Sequence, residues 1–418
     1  MSPALLRALG PGLLFAGAAV GVSHIVQSTR AGAAFGLSLV GLVVLANVFK
    51  YAAFSFGPRY AAATGTSLLE GYRRQGRIAL SAYGLLTLST MFTVQAAVTL
   101  VTAGLAKAVF GLELSVFWIS VLLLVLCASI LTLGKYAWLD RIVRVVVVVL
   151  TLSTFAATIL VLPRVDWSTL GWLPPGELDK KTIFFMAALV GWMPSAIDIS
   201  VWHSLWTLAR REQTGHEPSM EESKLDFDIG YIGTALLALC FIVLGAGVMH
   251  GTGTTFANTA GGFAGQVVQL YSSVLGTWST PIIGSAALLV MFSTTLTVTD
   301  GFPRAVSTLV ARFRSEERPG SVQGADRAYW VVLAVLMFGA AAVIGWLLTS
   351  LKLLVDVATT LSFLTAPILS FLNHRAVLGE EVTTDKRPGA WLLALSTLSI
   401  IVQAVFAVYW MWLKFFSA

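Results

Sequence analysis

The chain has 418 residues, 57% of them hydrophobic and 11% charged, with a mean hydropathy of +0.82. Soluble domains carry about 25% charged residues, so this composition excludes a water-surrounded fold and makes the lipid bilayer the principal partner. The net charge of +6 implies no nucleic-acid partner, because the basic residues mostly sit in short loops between apolar runs, where a membrane surface attracts them.

The N-terminal stretch MSPALLRALGPGLLFAGAAVG stays apolar and further apolar runs follow at once. A signal peptide would instead end at a small-residue cleavage site after a short apolar core, so this stretch reads as a retained first helix. Runs long enough to cross a bilayer, about 20 residues each, cover 11–35, 37–57, 79–109, 113–134, 141–163, 182–209, 228–250, 278–300, 328–349, 352–373 and 390–414, numbered here spans 1 to 11. Backbone groups in lipid must bond within their own segment, which makes these helices; they are too long for barrel strands. Cys127 and Cys240 lie inside apolar runs with no metal or redox spacing and read as small core residues.

Lysine and arginine set the orientation. Arg59, Arg73, Arg74 and Arg77 follow span 2; Lys135, Arg141 and Arg144 flank the connection after span 4; Arg210, Arg211 and Lys224 follow span 6. Arg312, Arg314, Arg318 and Arg327 follow span 8, and Arg375, Lys386 and Arg387 follow span 10, whereas the loops after spans 3 and 7 contain neither residue type. Every even-numbered span is therefore expected to end in the cytoplasm, with the N-terminus inside and the C-terminus outside an inner (plasma) membrane.

Two segments repeat. Phe15-Ala16-Gly17-Ala18-Ala19-Val20-Gly21 in span 1 and Phe185-Met186-Ala187-Ala188-Leu189-Val190-Gly191 in span 6 share Phe, Ala, Val and Gly, 170 residues apart. Five spans separate them, so they run in opposite directions. Both run into helix-breaking clusters, Gly21-Val22-Ser23-His24 and Gly191-Trp192-Met193-Pro194-Ser195. Paired interrupted helices in two inverted halves mark the binding site of many secondary transporters. The expected organisation is a first five-helix repeat at 1–163, an extracellular connector at 164–181, a second repeat at 182–373, and a cytoplasmic loop with span 11 at 374–418.

Four stretches carry a family resemblance: GPGLLFAGAAVGVSHIVQSTRAGAAFG (10–36), RYAAATGTSLLEGYRR (59–74), Met193-Pro194, and TLSFLTAPILSFLNHR (360–375). They resemble the first helix, the loop after helix 2, the Met-Pro-His motif of helix 6 and helix 10 of the NRAMP family of divalent-metal transporters. The resemblance implies an all-α, LeuT-like inverted-repeat fold with discontinuous spans 1 and 6. It also implies import of a divalent metal ion (Mn/Fe-type) by alternating access, coupled to protons as symport, with the metal as substrate and no permanently bound cofactor. The departures fall on the ligands. The family's Asp-Pro-Gly-Asn aligns with Gly21, Val22, Ser23 and His24, its Ala three residues before the Met with Val190, the His of Met-Pro-His with Ser195, and a helix 10 Gln with Ala358.

Asp198 is the sharpest candidate. A carboxylate within a span costs about 2.5–3.5 kcal/mol on insertion scales, so it needs a reason: cation ligand, proton carrier, or N-cap of the second half of span 6. Met193 matches a family ligand and is a soft donor suited to late transition metals. His24 is either a ligand or proton acceptor, or a histidine bonded to a freed carbonyl. Gly21 and Gly191 permit unwinding that exposes carbonyls to a cation, and Ser23 and Ser195 add neutral donors. A possible proton or ion path runs through His203, Asp226, Asp228, Asp356, Thr359 and Thr360. His203 lies about 140° around a helix from Asp198 and reads as hydrogen-bonded core. Asp226 and Asp228 suit a helix N-terminus, and Asp300 a capped turn with Gly301 and Pro303. Arg30 and Lys50 are expected to snorkel to an interface.

No phosphate-binding loop, H-E-x-x-H, G-x-S-x-G or paired-cysteine motif occurs, so neither an enzyme nor an ATP-driven pump is indicated. Three readings remain: a proton-coupled divalent-metal transporter, a carrier of the same fold with a shifted substrate (Mg²⁺ or a non-metal solute), and a membrane sensor, which would need an output domain that the short tails do not provide. With Cys127 and Cys240 replaced, a cysteine placed after Phe416 is expected to react with an impermeant maleimide added outside, and one placed before Leu5 is not. The reverse pattern would overturn the charge-based topology.

Overall fold

A computed structural model describes residues 10–133, 136–253, 256–314, 327–347 and 350–416. Among the described residues there are fifteen α-helices and no strand. Span 1 is α1 (Pro11–Ala19), a π-helical turn (Ser23–Ser28) and α2 (Thr29–Phe35), with a bend of 44° between its halves. Then follow α3 (Val40–Thr64, span 2), α4 (Leu68–Gln75), α5 (Arg77–Phe110, span 3), α6 (Val116–Thr132, span 4) and α7 (Tyr136–Val161, span 5). Span 6 is split into α8 (Lys180–Gly191) and α9 (Ile199–Thr214). The rest are α10 (Met220–Val248, span 7), α11 (Ala260–Leu275), α12 (Thr280–Phe313, span 8), α13 (Arg327–Leu347, span 9), α14 (Leu351–Val377, span 10) and α15 (Ala390–Phe415, span 11).

Among the described residues seven helices are long and apolar enough to cross a membrane, and the bent pair α1–α2, taken as one span, makes an eighth; α6 is apolar but shorter. The protein is an integral membrane protein. Lys135 and Arg318, used to orient the spans, lie outside the described residues. Two helices, α4 and α11, occupy segments expected to be loops; at 8 and 16 residues they fall below the length of a span.

Local chemistry sets the helix ends. Ser219 and Glu222 form a capping box at the start of α10, Asp179 accepts the Thr182 N–H at the start of α8 (2.8 Å), and α3, α5 and α9 stop at left-handed Gly65, Gly111 and Gly215. The expected turn at Asp300 is absent: α12 continues through Gly301 and Pro303 to Phe313. Asp300 is satisfied within the helix and by its neighbour, accepting two bonds from Arg304 one turn later (3.0 and 2.9 Å) and one from Tyr329 (2.8 Å). At the same end, Glu70 of α4 takes Arg73, Arg74 and Arg312. Burial alone would raise its carboxyl, but the three guanidinium groups hold it below the ordinary value.

The packing is two-fold symmetric in pattern. α2 rests on α10 as α9 rests on α3; α5 meets α14 as α12 meets α7; and α5 packs on α12 across the centre. Exchanging spans 1–5 with spans 6–10 maps this set of pairs onto itself, the signature of a LeuT-like inverted repeat. Between lipid-surrounded helices close approach replaces the hydrophobic drive, and α2 and α10 interlock through glycines. A Cβ on Gly32 would stand 2.0 Å from the Ile242 carbonyl, and one on Gly245 2.3 Å from that of Thr29. Gly245→Ala is therefore expected to cost about 1–3 kcal/mol and to lower the melting midpoint in detergent. Gly233→Ala, on the same helix with no atom within 4 Å, should keep or raise it. Equal midpoints would show that the interlock does not limit stability.

Candidate functional site

The break in span 1 covers Val20, Gly21 and Val22, and helical structure resumes at Ser23. Ser23 and His24 thus belong to the start of the second half rather than to unwound chain. Interruption frees carbonyls, and the surroundings satisfy them. Ser23 donates to Ala19 (2.6 Å), and the Gly21 carbonyl accepts the N–H groups of His24 and Ile25 (3.2 and 2.9 Å). Thr294 of α12 reaches Gly17 and Val20 (2.9 and 3.3 Å). That hydroxyl comes so near that a Cβ on Gly21 would lie 3.0 Å from it. Fully buried His24 sets Nε2 2.9 Å from the Thr234 carbonyl and Nδ1 2.7 Å from Ser23 Oγ. A carbonyl only accepts, so Nε2 carries a proton. Through the Nε2–H bond to Thr234, His24 is a strut from span 1 to span 7.

The break in span 6 runs from Trp192 to Asp198. Met193 is fully buried and joined to Pro194 by a cis peptide, and Trp192 donates to Ser362 (2.8 Å). Asp198 is 2% exposed and precedes α9, yet it makes no capping bond. Its backbone is already helical (φ −49°, ψ −34°), whereas a capping side chain needs an extended residue. One carboxylate oxygen, Oδ1, is buried with no partner, and the phenols of Tyr72 and Tyr83 lie within electrostatic range.

Lys50 does not snorkel. It sits ten residues into α3, roughly 15 Å from its start, deeper than a lysine stem can span. It is 2% exposed, and Nζ donates to the carbonyls of Val190 (2.6 Å), Gly191 (2.9 Å) and Ser195 (3.3 Å). An ammonium group, with three N–H donors, can satisfy all three carbonyls at once. Gly191 itself remains helical, and a Cβ there would stand 2.0 Å from the Thr359 carbonyl. Close packing against span 10, not unwinding, demands glycine at this position. Among the described residues no three His, Cys, Asp or Glu converge on one point.

The model of the natural resistance-associated macrophage protein-like (Nramp) family matches residues 12–412. The chain belongs to the Nramp family. An uncharacterized protein of Pasteurella multocida is 34% identical over 407 residues, covering 96% of this chain and 91% of that one. The divalent metal cation transporter MntH of Levilactobacillus brevis is 23% identical, covering 95% and 87%. Among solved structures, a manganese transporter of Eremococcus coleocola in complex with an aromatic bis-isothiourea substituted compound superposes with a TM-score of 0.71 at 14% identity, covering 97% and 86%. This likeness supports the LeuT-like fold. The protein is a membrane transporter of the Nramp family, not an enzyme.

In this Nramp protein two further networks flank the breaks. Arg30, expected at an interface, is 6% exposed and makes a bidentate pair with Asp356 (2.7 and 3.2 Å). Gln27 accepts from Arg30 (2.8 Å) and donates toward Asp356 and Thr359 (3.4 and 3.3 Å). Thr360 instead lines an adjoining cavity of about 830 Å³. On span 7, Asp226 accepts the N–H groups of Gly10 (3.0 Å) and Gly12 (2.6 Å), capping α1 from outside its own segment. His203 brings Nε2 to 4.0 Å from that carboxylate, with neither ring nitrogen hydrogen-bonded and its ring stacked on Phe15. Asp228 accepts from Tyr51 (2.6 Å) and pairs with Lys224. The polar residues of the expected path therefore fall into separate groups.

Sequence reasoning passed over Gln27 and Thr294, and it placed Lys50 at the surface. The available signal was a polar group deep in an apolar run, which marks function by default. Asp226→Ala should leave the Gly10 and Gly12 N–H groups without acceptor, costing about 1–3 kcal/mol. Faster amide exchange confined to α1 is the expected result. Unchanged exchange would remove the cap from the account.

Proposed function

We propose that this protein is a secondary transporter of a divalent metal ion, coupled to protons and working by alternating access. Its central site would lie between the breaks of spans 1 and 6, in an inner (plasma) membrane with the N-terminus in the cytoplasm. The observation that carries the reading is the buried, unpartnered carboxylate oxygen of Asp198 beside the break in span 6. A buried anion without a partner is costly unless a ligand completes it. Family membership and the named function of the Levilactobacillus brevis relative support a metal cation as that ligand. Asp198 would be the principal anion, Met193 the soft donor, and Ser23 and Ser195 neutral donors. Gly21, Gly191 and His24 would shape the two breaks, their bonding groups being engaged in this conformation. His203 with Asp226 is the pair best placed for a proton, at 4.0 Å.

A second reading has its own support. One carboxylate and one thioether, with no convergent third acidic, histidine or cysteine group among the described residues, make a sparse donor set for a transition metal. Mg²⁺ keeps much of its water and needs only one or two carboxylates. Proteoliposomes separate the readings. The unmodified protein should take up Mn²⁺, faster under an inward proton gradient, and Asp198→Asn should slow uptake at least about tenfold, equivalent to about 1.4 kcal/mol. Uptake of Mg²⁺ in preference to Mn²⁺ would favour the second reading. Asp198→Asn with unchanged uptake and pH dependence would take Asp198 out of the site.

A further inference from the structure

The carbonyls of Val190 and Gly191 end the first half of span 6, and that of Ser195 belongs to the unwound segment after it. The C-terminal end of a half-helix carries a partial negative charge of about half an elementary charge. Together with unwound carbonyls it is the kind of place where inverted-repeat transporters coordinate a small cation. Here the three oxygens converge on one point, and the amino group of Lys50 occupies it at 2.6, 2.9 and 3.3 Å. No acidic residue forms an ion pair with Lys50 among the described residues, so its charge is balanced by carbonyl dipoles alone.

We propose that this cage is a monovalent-cation site that the chain fills with its own ammonium group. A lysine capping a helix end at a surface is ordinary. A lysine drawn from a different span, about 15 Å deep, onto the break of a discontinuous helix does something more specific: it stands in for a dissolved ion. The neutral oxygen set and the helix-end dipole match a charge of +1, and no carboxylate is there to recruit a divalent ion. The site is distinct from the Asp198 carboxylate, which Lys50 does not touch. A carrier built this way needs no free co-ion at the break, because a covalently attached one is always present.

Removing the ammonium should open the cage to small cations. Lys50→Met keeps an apolar stem of similar length without charge or donors. Purified in detergent with choline chloride, too large to enter, it should melt below the unmodified protein. Replacing choline by NH₄⁺, K⁺ or Na⁺ at equal ionic strength should raise its midpoint by several degrees in a saturable way. The unmodified protein and Lys50→Arg should show no such cation-specific shift. If Lys50→Met does not purify, Lys50→Gln, which retains two N–H donors and no charge, replaces it with the same expected outcome. A neutral variant indifferent to all three cations, or an unmodified protein that responds equally, would overturn the proposal. The measurement uses no transported cargo, so its failure is separate from any failure of metal uptake.

Discussion

A polypeptide crossing lipid must bond every backbone N–H and C=O within the protein, and the two breaks in spans 1 and 6 are where the chain violates the simplest way of doing so. Much of the surrounding polar chemistry answers that violation. Ser23 and Thr294 cover carbonyls at the first break, and His24 ties the segment after it to the Thr234 carbonyl of span 7. Lys50 covers the carbonyls of the second, and Asp226 takes the N–H groups at the start of α1. Each of these partners comes from the other half-span or from another span. The breaks are thus held by tertiary structure and could not persist in isolated helices.

Against that background Asp198 stands apart. One of its carboxylate oxygens is buried with no hydrogen-bond partner. In a fold that spends so many side chains on satisfying backbone atoms an unsatisfied buried carboxylate is costly, and it is the observation on which the proposed cation site rests. The three residues Gln27, Arg30 and Asp356 show the contrasting solution: they bond one another until no charge is left over.

The fold was legible because its signals are long and redundant. Runs such as 79–109 and 352–373 differ from the observed helices by only a few residues at either end, since a helix in lipid must continue until water is reached. The matched breaks were legible for a related reason: glycine and proline within an apolar run have few other uses. Individual side-chain partners were not legible. Lys50 and Arg30 look alike in sequence, each a basic residue in a span, and snorkelling is the common fate of such residues. What separates them from that fate is depth and the arrival of α8 and α14, which are more than a hundred residues away in the chain. Asp300 misled in the opposite sense. Its Gly-Phe-Pro context resembles a turn, but Arg304 one turn on and Tyr329 on the next helix keep α12 intact. Gly191 was read as a point of flexibility, whereas the Thr359 carbonyl pressed against it makes it a point of contact.

The glycine interlock between α2 and α10 has a mechanical meaning. Two helices whose backbones meet with no side chain between them have no soft layer in which to slide, so they translate and rotate as a single stiff member. α1 is joined to α2 along the chain through Val20 to Val22, and it also packs directly on α10, where a Cβ on Gly230 would stand 2.2 Å from the Gly12 carbonyl. Both halves of span 1 are therefore seated on the same helix, and α10 acts as a common rail for the two segments on either side of the break. The carboxylate of Asp226 pins the start of α1 to that rail.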